Sequence, residues 1–551
     1  MKPAHWVTAY LVLGFLLLES RPNLWSKRAW TTEKVAFSSH GIVATGSPEA
    51  TAAAIRILEA GGNAIDAAAA AHLALMVTDP ANTSLAGRAQ ILLRLKNGRT
   101  IALDGATKTP TRIQPLKGEE DRRGYLVVPV PGNAAVVAQM VQGFGKLSLR
   151  SVLQPAIELA EKGFSVTPRL AASWQRNRQA LAEDPGAALN FLKADGSAYK
   201  SGETFVQPRL ARLLRKIASD GVEAFYRGEI AESIASDVTS HGGFIRKADL
   251  EHYRAAAGVT VLTSYRGTQV VCAGGRAWGN TLVEMLNILE HFQLPSGPPT
   301  ARQVELLARV IDQALEDRPQ EIGSLKPKAL GFSLTQISSR SFAKERAALI
   351  KQKLFAPATP ASETKQPATP DNGDTTHLSV IDSEGNAVAL TTSIGPAFGA
   401  RVATPELGFL YAHSYRMRAD PAPDKRDETE MTPTIVLQGQ KPRLVIGAAG
   451  SERIPSAILQ VISNVLDRGL TLEQAVAEPR IFSFRGKLRM HPGFPEGLTQ
   501  SLSLRGFEVE VLGTDSIQHL GLIHAASFDQ ATGEFSGAVD PASDGSAGGP
   551  K

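Results

Sequence analysis

The pattern of apolar and polar positions near the start of the chain predicts a strand followed by two helices. Residues Gly41–Thr45 form a short apolar run that is typical of a buried strand. Ser47 and Pro48 then match the preferred N-cap and first position of a helix. The Gly-Gly pair at 61–62 ends that helix, and an Ala-rich helix is predicted over about 64–76.

The next segments predict a hairpin and then a mainly helical region. Two strand patterns flank Asn97 and Gly98, a dipeptide that favours a type I′ turn. Apolar residues recur every three or four positions after that, which predicts helices. The helical segments are "SVLQPAIELAEKGF", "RLARLLRKIASDGVEAFY", "GEIAESIASDVTSHGG", "GNTLVEMLNILEHF" and "VELLARVIDQALE".

The pattern changes at residues 356–374, where Pro and Thr are frequent and large apolar side chains are nearly absent, as in a linker. Two hairpin patterns follow, "HLSVIDSEGNAVALTTSI" and "TPTIVLQGQKPRLVIGAAG", with a helix predicted over about 456–466. The Gly-rich tail at 540–551 is expected to fray. Two groups of hairpins flanked by helix pairs favour stacked antiparallel sheets between helical layers.

The N-terminus resembles an export signal. Lys2 precedes an apolar run of thirteen residues at 6–18, whereas a bilayer of roughly 30 Å needs about 20 residues. The run fits the hydrophobic region of a secretory signal. No A-x-A cleavage site follows, so an uncleaved membrane anchor is the alternative. We expect an extracytoplasmic protein, periplasmic or secreted.

Composition and motif content narrow the functional classes. The 551 residues are 43% hydrophobic and 21% charged, and 59 basic residues against 54 acidic ones are scattered along the chain, so no nucleic-acid partner is expected. The single cysteine, Cys272, excludes an internal disulfide and is more typical of a small buried hydrophobe than of a nucleophile. No metal-ligand spacing, Walker A motif or G-x-S-x-G is present, so neither a metal nor a cofactor is expected.

The linker runs directly into Asp374-Thr375-Thr376-His377, and this junction suggests chemistry. A threonine hydroxyl is a weak nucleophile that needs a base, and the α-amine of an N-terminal threonine is such a base. Thr375 would gain a free amine if the peptide bond before it were cut, and a linker there would release the old chain end. The alternative is that Thr375 and Thr376 simply begin a strand.

The order of motifs resembles that of the γ-glutamyltransferases, also called glutathione hydrolases, over residues 41 to 549. The matching stretches are "GIVATGSPEATAAAIRILEAGGNAIDAA", "VPVPGN", "QPAIELAEKGFSV", "FYRGEIAESIASDVTSHGGFIRKADLEHYRA", "SYRG", "TTHLSVIDSEGNAVALT", "MTPTIV", "LVIGAAGSERI" and "VDPASDGSA". The resemblance implies an αββα sandwich of the N-terminal-nucleophile hydrolase type. It also implies an amidohydrolase or acyltransferase that acts on a small-molecule amide or peptide.

The same resemblance implies a division of the chain and a set of catalytic roles. A cut between Asp374 and Thr375 would separate a large-subunit region, 35–374 with its linker at 356–374, from a small-subunit region, 375–551, and the two would stay associated. Residues 1–34 would be the signal or anchor plus a connector. The implied nucleophile is Thr375. The implied orienting hydroxyls and oxyanion-hole N–H groups belong to Thr391, Ser393, Gly450 and Ser451.

The segments that bind the glutamyl group in the family differ here. The arginine that holds the α-carboxylate is replaced by Ala106, and an asparagine of the nucleophile region by Gly395. New cations, Arg88, Lys108 and Arg416, occur in the same segments. The candidate substrate contacts are Arg88, Lys108, Ser414 and Thr429.

Three hypotheses follow from these departures. The first is an autoprocessing amidohydrolase or acyltransferase whose acyl group is not a standard γ-glutamyl. The second is a glutathione hydrolase that holds glutamate with substitute residues. The third is a non-catalytic relative kept as a binding or structural module, which the retained Thr375, His377, Thr391, Ser393 and Gly450 disfavour.

Overall fold

The computed structural model of the chain describes residues 34–114, 116, 123–319, 331–355, 374–419, 421–513 and 519–551. The predicted signal or anchor at 6–18 and most of the linker, 356–373, lie outside the described residues. Within the described ranges, no helix combines the length and the apolar character that a membrane span requires.

The strands and helices alternate in groups along the chain. The strands are β1 Val35–Ser38, β2 Gly41–Thr45, β3 Arg88–Arg94, β4 Thr100–Gly105, β5 Phe164–Ser165, β6 Thr204–Phe205, β7 Ala256–Ala257, β8 Val259–Tyr265, β9 Thr268–Gly274, β10 Asp374–Asp382, β11 Ala387–Gly395, β12 Thr434–Gln438, β13 Lys441–Ala449, β14 Ile481–Phe484, β15 Lys487–Met490, β16 Glu508–Val511, β17 Leu522–Phe528, β18 Phe535–Val539 and β19 Ser546–Gly548.

The helices lie mainly before the linker. They are α1 Pro48–Glu59, α2 Ala64–Thr78, α3 Asn133–Phe144, α4 Leu149–Lys162, α5 Pro168–Ala182, α6 Pro185–Phe191, α7 Pro208–Asp220, α8 Glu223–Tyr226, α9 Gly228–Ser240, α10 Lys247–His252, α11 Gly279–Leu289, α12 Ala301–Asp317, α13 Leu334–Ile337, α14 Arg340–Phe355, α15 Tyr415–Ala419, α16 Ile454–Leu466, α17 Leu472–Ala477 and α18 Leu498–Ser503. Short 3₁₀ turns occur at Gly124–Val127 and Ser451–Arg453.

Two seven-stranded antiparallel sheets form the centre of the molecule. Sheet I has the order β19-β2-β10-β11-β3-β4-β7, and sheet II has the order β1-β18-β17-β13-β12-β9-β8. Both sheets combine strands that precede residue 374 with strands that follow it, and β10 and β11 are central in sheet I. Neither part of the chain therefore completes a sheet by itself.

Three apolar layers hold the sheets and helices together. Ile42, Ile381, Ile435 and Val445 pack between the two sheets. A second layer joins the outer face of sheet I to the helices from α1 to α9, and a third joins sheet II to helices that include α11, α12 and α16. This arrangement confirms the predicted αββα sandwich.

The helix start predicted at Ser47 and Pro48 is present. The Ser47 hydroxyl accepts the N–H of Ala50, and Pro48 begins α1. Asn63 caps α2 and forms a capping box with Asp66.

Cys272 is fully buried, and burial raises the pKa of its thiol to about 12, so it is a packing residue.

Two expectations about local structure are wrong. The turn at Asn97-Gly98 is not type I′, because only Gly98 has a positive φ and the Leu95 N–H donates to the Arg99 carbonyl across a three-residue loop. The C-terminal tail is not frayed. Ser546, Ala547 and Gly548 pair with β2. The composition of the tail does not reveal this pairing, because β2 is distant in sequence.

Candidate active site

Thr375 lies in an irregularity at the beginning of β10. Asp374 pairs with Gly395 and Thr376 pairs with Thr392, so Thr375 lies opposite Ser393 and Ile394 at a β-bulge whose extra residue belongs to β11. Thr375 lines two cavities, and the residue is only 8% exposed.

Strand alternation brings the other predicted hydroxyls to the same face. Leu378 and Val380 of β10 pack under the helices outside sheet I, so His377 and Ser379 face sheet II. On β11, Thr391 pairs with His377 and shares this inner face with Ser393. The structure therefore gathers Thr375, Thr391 and Ser393 at one end of the space between the sheets.

The hydroxyls of Thr391 and Ser393 have different surroundings. Thr391 Oγ1 is 2.8 Å from Nδ1 of His377, and both residues are fully buried. Ser393 Oγ accepts the N–H of Gly395 at 2.9 Å and lines the smaller cavity with Thr375. Thr391 thus belongs to the buried layer beneath the site, whereas Ser393 faces the cavity.

The predicted oxyanion-hole pair forms the turn after β13. Gly450 has a φ of 134°, and Ser451 has a φ of 50°, a left-handed conformation that costs a non-glycine residue about 1–3 kcal/mol. A Cβ at Gly450 would lie 2.9 Å from Cε1 of His519, so only glycine fits that position. Ser451 lines the smaller cavity together with Thr375.

The buried histidines near Thr375 are held neutral. Burial lowers the pKa of His377 and His519 well below the usual value, and it lowers the pKa of His524 to about 3. His519 and His524 line the larger cavity, and the His377 and His524 rings stack with centroids 6.5 Å apart. These rings supply hydrogen bonds and not charge at neutral pH.

The two cavities differ greatly in size. The smaller cleft has a volume of about 10 Å³ and is lined by Arg88, Thr375, Ser393, Gly395, Tyr415, Thr429, Glu430, Met431, Ser451 and Ile454. The larger cavity has a volume of about 410 Å³, and Arg169, Arg401, Phe164, His519 and Asp544 are among the residues that line it. The larger cavity has space for a bound group as it stands, whereas the cleft would have to widen to admit one.

Arg88 is the cation that the structure brings to the cleft. It begins β3, opposite Ser393, and its side chain is only 4% exposed. Its guanidinium donates to the His413 carbonyl at 3.1 Å, lies 3.6 Å from Asp427 and covers the Tyr415 ring at 5.5 Å. Its Nε has no hydrogen-bond partner among the described residues.

The remaining candidate contacts separate into two groups. Thr429 lines the cleft, whereas Lys108 and Ser414 line neither described cavity. Lys108 pairs with Asp424 at 2.5 Å, and the Ser414 hydroxyl donates to Asp427 at 2.7 Å. Lys108 and Ser414 therefore support the segment around the cleft and do not contact its contents.

Sequence reasoning missed two members of this region. Asp427 accepts hydrogen bonds from the hydroxyls of Thr107 and Ser414, at 2.6 and 2.7 Å, and forms an ion pair with Arg88. Glu430 lines the cleft, and burial raises the pKa of its carboxyl. A buried cation requires an anionic partner, so Arg88 was a signal that an acid from a distant segment would lie beside it.

The described residues contain no group of three or more side chains that could hold a metal ion. The site offers hydroxyls, backbone N–H groups and charged side chains. A hydroxyl at a bulge, an adjacent N–H pair and a flanking cation would suit attack on an amide carbonyl.

Comparison with known proteins gives a consistent result. A family model described as Gamma-glutamyltranspeptidase matches residues 50–549. An Acylase ACY 1 proenzyme from Pseudomonas sp. (strain V22) is 34% identical over 502 residues, covering 87% of this chain and 88% of that protein. A Glutathione hydrolase proenzyme from Escherichia coli (strain K12) is 32% identical over 542 residues, covering 92% and 91%.

Solved structures agree with these relatives. A cephalosporin acylase from Bacillus halodurans superposes with a TM-score of 0.83 at 27% identity, covering 97% of this chain and 99% of that one. A gamma-glutamyltranspeptidase from Helicobacter pylori gives a TM-score of 0.52 at 29% identity, covering 58% of this chain and 93% of that one. Both enzyme types share the fold described above.

Proposed function

Because the chain belongs to the gamma-glutamyltranspeptidase family, we propose that it is an autoprocessing amidohydrolase that uses Thr375 as nucleophile. We further propose that its acyl substrate is not a γ-glutamyl group. The enzymatic relatives named above do not favour a non-catalytic role. The observation that carries the substrate proposal is the buried guanidinium of Arg88 beside Thr375, together with Ala106 at the position of the family's arginine.

The first step would be cleavage of the bond between Asp374 and Thr375. Thr375 Oγ1 would attack the Asp374 carbonyl carbon, the C–N bond would break as the Thr375 nitrogen takes the Oγ1 proton, and an ester would form. Water would then hydrolyse this ester, leaving a carboxylate on Asp374 and a free α-amine on Thr375. The regions 35–374 and 375–551 would stay together, since both sheets contain strands from each.

Turnover would use the same hydroxyl with the new amine as base. The amine takes the Oγ1 proton as Oγ1 attacks the substrate amide, and the N–H groups of Gly450 and Ser451 hold the oxyanion. The leaving amine departs with a proton, and water hydrolyses the acyl ester on Thr375. An amine acceptor in place of water would give acyl transfer.

The charges at the cleft favour an acyl group with a carboxylate but no amine. Arg88 lines the cleft and supplies a buried positive charge there, which suits a carboxylate. A substrate ammonium would need an ionised acid, and Glu430 is the acid that lines the cleft. Burial raises the pKa of Glu430, which weakens it as a partner for an ammonium.

A second candidate function is glutathione hydrolysis with substitute residues. Arg88 and Glu430 could in principle divide the two charges of an amino-acid head, and the Escherichia coli relative is a glutathione hydrolase. The measurement that separates the two is kcat/KM for γ-glutamyl-anilide against glutaryl-anilide, which lacks both α-substituents. We expect the glutaryl compound to be preferred. A preference for γ-glutamyl-anilide by more than about tenfold, or 1.4 kcal/mol, would replace the first function with the second.

Export remains a prediction from Lys2 and the apolar run at 6–18. A reporter fused after Lys34 should appear outside the cytoplasm. A reporter retained in the cytoplasm would contradict this prediction.

A further inference from the structure

A chain of buried hydrogen bonds runs under the nucleophile from sheet I to sheet II. Thr391 Oγ1 is 2.8 Å from His377 Nδ1, and His377 Nε2 is 3.0 Å from Ser379 Oγ. Ser379 Oγ donates to the backbone carbonyl of His524 at 3.1 Å. Thr391, His377 and Ser379 have no exposed surface, so solvent does not enter this chain.

The direction of each hydrogen bond in this chain is determined. A carbonyl oxygen only accepts, so the single proton of Ser379 is used on His524, and Ser379 must accept the Nε2–H of His377. A neutral imidazole carries one N–H, so Nδ1 is the acceptor and Thr391 donates to it. Burial lowers the pKa of His377 well below its usual value, in agreement with a neutral ring.

Sheet II is shaped to hold the His377 ring. A Cβ at Gly447 of β13 would overlap Cε1 and Nδ1 of His377, so the bare backbone of Gly447 leaves the space that the ring fills. Gly447 also pairs with His524, whose carbonyl ends the chain. The ring is thus held between two strands of sheet II and its own strand.

We propose that His377 is a positioning residue that makes the Thr391 oxygen an obligate hydrogen-bond acceptor beside Thr375. The proposal rests on the proposed function of Thr375 as nucleophile. Thr391 has donated its proton to His377, so its free lone pairs can receive only a donor. Thr375 precedes His377 by two residues and is therefore the diagonal neighbour of Thr391 across the strand pair.

The direction of the hydrogen bond from Thr391 to His377 affects the α-amine of Thr375, which is the proposed base. When the α-amine of Thr375 forms, an N–H directed toward the Thr391 oxygen would leave the nitrogen lone pair for the Oγ1 proton. If Thr391 could donate instead, its proton would compete for that same lone pair. His377 would then affect the rate of the chemical step without touching the substrate.

Two substitutions of the histidine separate this role from packing. The amide oxygen of His377→Asn can replace the Nδ1 acceptor, whereas the longer amide of His377→Gln replaces the Nε2 side and leaves Thr391 without its acceptor. We expect His377→Gln to lower kcat by about tenfold and His377→Asn to keep kcat within about threefold of the original, with little change in KM in either variant.

A double-mutant cycle tests whether the histidine acts through Thr391. Thr391→Val should lower kcat by about tenfold, and adding His377→Gln to it should give no further loss. Ser379→Ala, which removes the acceptor that fixes the ring tautomer, should lower kcat in the same direction. Thr263→Val in β8, another buried strand threonine that donates to a side chain, is the matched control and should leave kcat unchanged.

The outcomes distinguish this inference from the function on which it rests. Activity that survives Thr375→Ala would overturn the proposed nucleophile. If Thr375→Ala is inactive, the inference fails when the losses from His377→Gln and Thr391→Val multiply, or when His377→Asn is as slow as His377→Gln. Thermal unfolding measurements check that each variant folds. If His377→Gln does not fold, full activity in Ser379→Ala overturns the inference.

Discussion

The two sides of the candidate site are built from different kinds of structure. Thr375, Thr391 and Ser393 lie on the paired strands β10 and β11, whereas Thr429 and Glu430 lie on the irregular segment between β11 and β12. Strand pairing and burial fix the first group in place. The second group follows Asp427 in sequence, and Asp427 lies 3.6 Å from Arg88 of a distant part of the chain.

This difference separates the chemical step from substrate selection. The strand-built side holds the groups that we propose for attack on a carbonyl. On the other side, the charges that line the cleft come from Arg88 and Glu430. A change in acyl specificity could therefore occur without disturbing the nucleophile, and the variants below test each side separately.

The largest expected effect comes from the strand-built side. Thr375→Ala should leave the bond after Asp374 intact and lower amidase kcat by at least about a thousandfold, since no other hydroxyl replaces the nucleophile. Thr375→Ser should still process, more slowly, because a hydroxyl survives. Gel electrophoresis and anilide hydrolysis measure both properties, and normal cleavage in Thr375→Ala would place the nucleophile elsewhere.

The next effect in size concerns the cleft. Arg88→Met should lower kcat/KM for glutaryl-anilide by about 10- to 150-fold, the range for loss of one charge-assisted hydrogen bond. Asp427 would keep the hydroxyls of Thr107 and Ser414, so folding should persist. Arg88→Lys retains the charge and is the matched control. An unchanged ratio of glutaryl to γ-glutamyl turnover in Arg88→Met would remove Arg88 from substrate binding.

Acid should destabilise the folded chain through its buried histidines. Burial lowers the pKa of His72 and His524 to about 3, so the unfolded chain binds protons below about pH 6.5 that the folded chain cannot bind. Stability from these groups is therefore present above pH 6.5 and is lost as the pH falls. Asp312 opposes this trend, because burial raises its pKa to about 7.

A substitution of His72 isolates the contribution of one buried histidine to the pH dependence of stability. His72 lies in α2, which packs against β10 and β11. His72→Leu should reduce the loss of unfolding free energy between pH 7.5 and pH 5 by about 2 kcal/mol, measured by urea denaturation at each pH. An identical pH dependence in the variant and the original chain would show that His72 is protonated in the folded state.

The smallest expected effect is at the oxyanion-hole turn. Ser451→Gly should raise the free energy of unfolding by about 0.5–1 kcal/mol, because glycine adopts the φ of 50° without strain but gains entropy when unfolded. The backbone N–H remains, so kcat should not change. Ser451→Val should act in the opposite direction on stability. A lower stability in Ser451→Gly would mean that the Ser451 side chain makes a stabilising contact.

The sequence predicted the strand-built side better than the cleft, for a physical reason. Alternation along β10 and β11 places Thr375, Thr391 and Ser393 on one face, and hairpin patterns predict those strands directly. By contrast, the positions of Lys108 and Ser414 outside the cleft depend on Asp424 and Asp427. No local pattern encodes such long-range pairs.

Long-range pairing also explains why two predictions about the fold were wrong. The tail at Ser546–Gly548 has a flexible composition, yet it forms an edge strand because β2 offers unpaired backbone groups there. The loop at residues 96–98 has three residues and not two because the Leu95 N–H donates to the Arg99 carbonyl. Local composition predicted which elements exist, and tertiary pairing decided how they end.

The central claim is that the chain makes its own N-terminal threonine, and one measurement tests it directly. The purified full chain is incubated at neutral pH, and the N-terminus of the smaller fragment is sequenced. The account predicts two fragments that elute together, the smaller beginning Thr-Thr-His-Leu-Ser-Val at Thr375. A single intact chain after long incubation, or a fragment that begins at another residue, would contradict it.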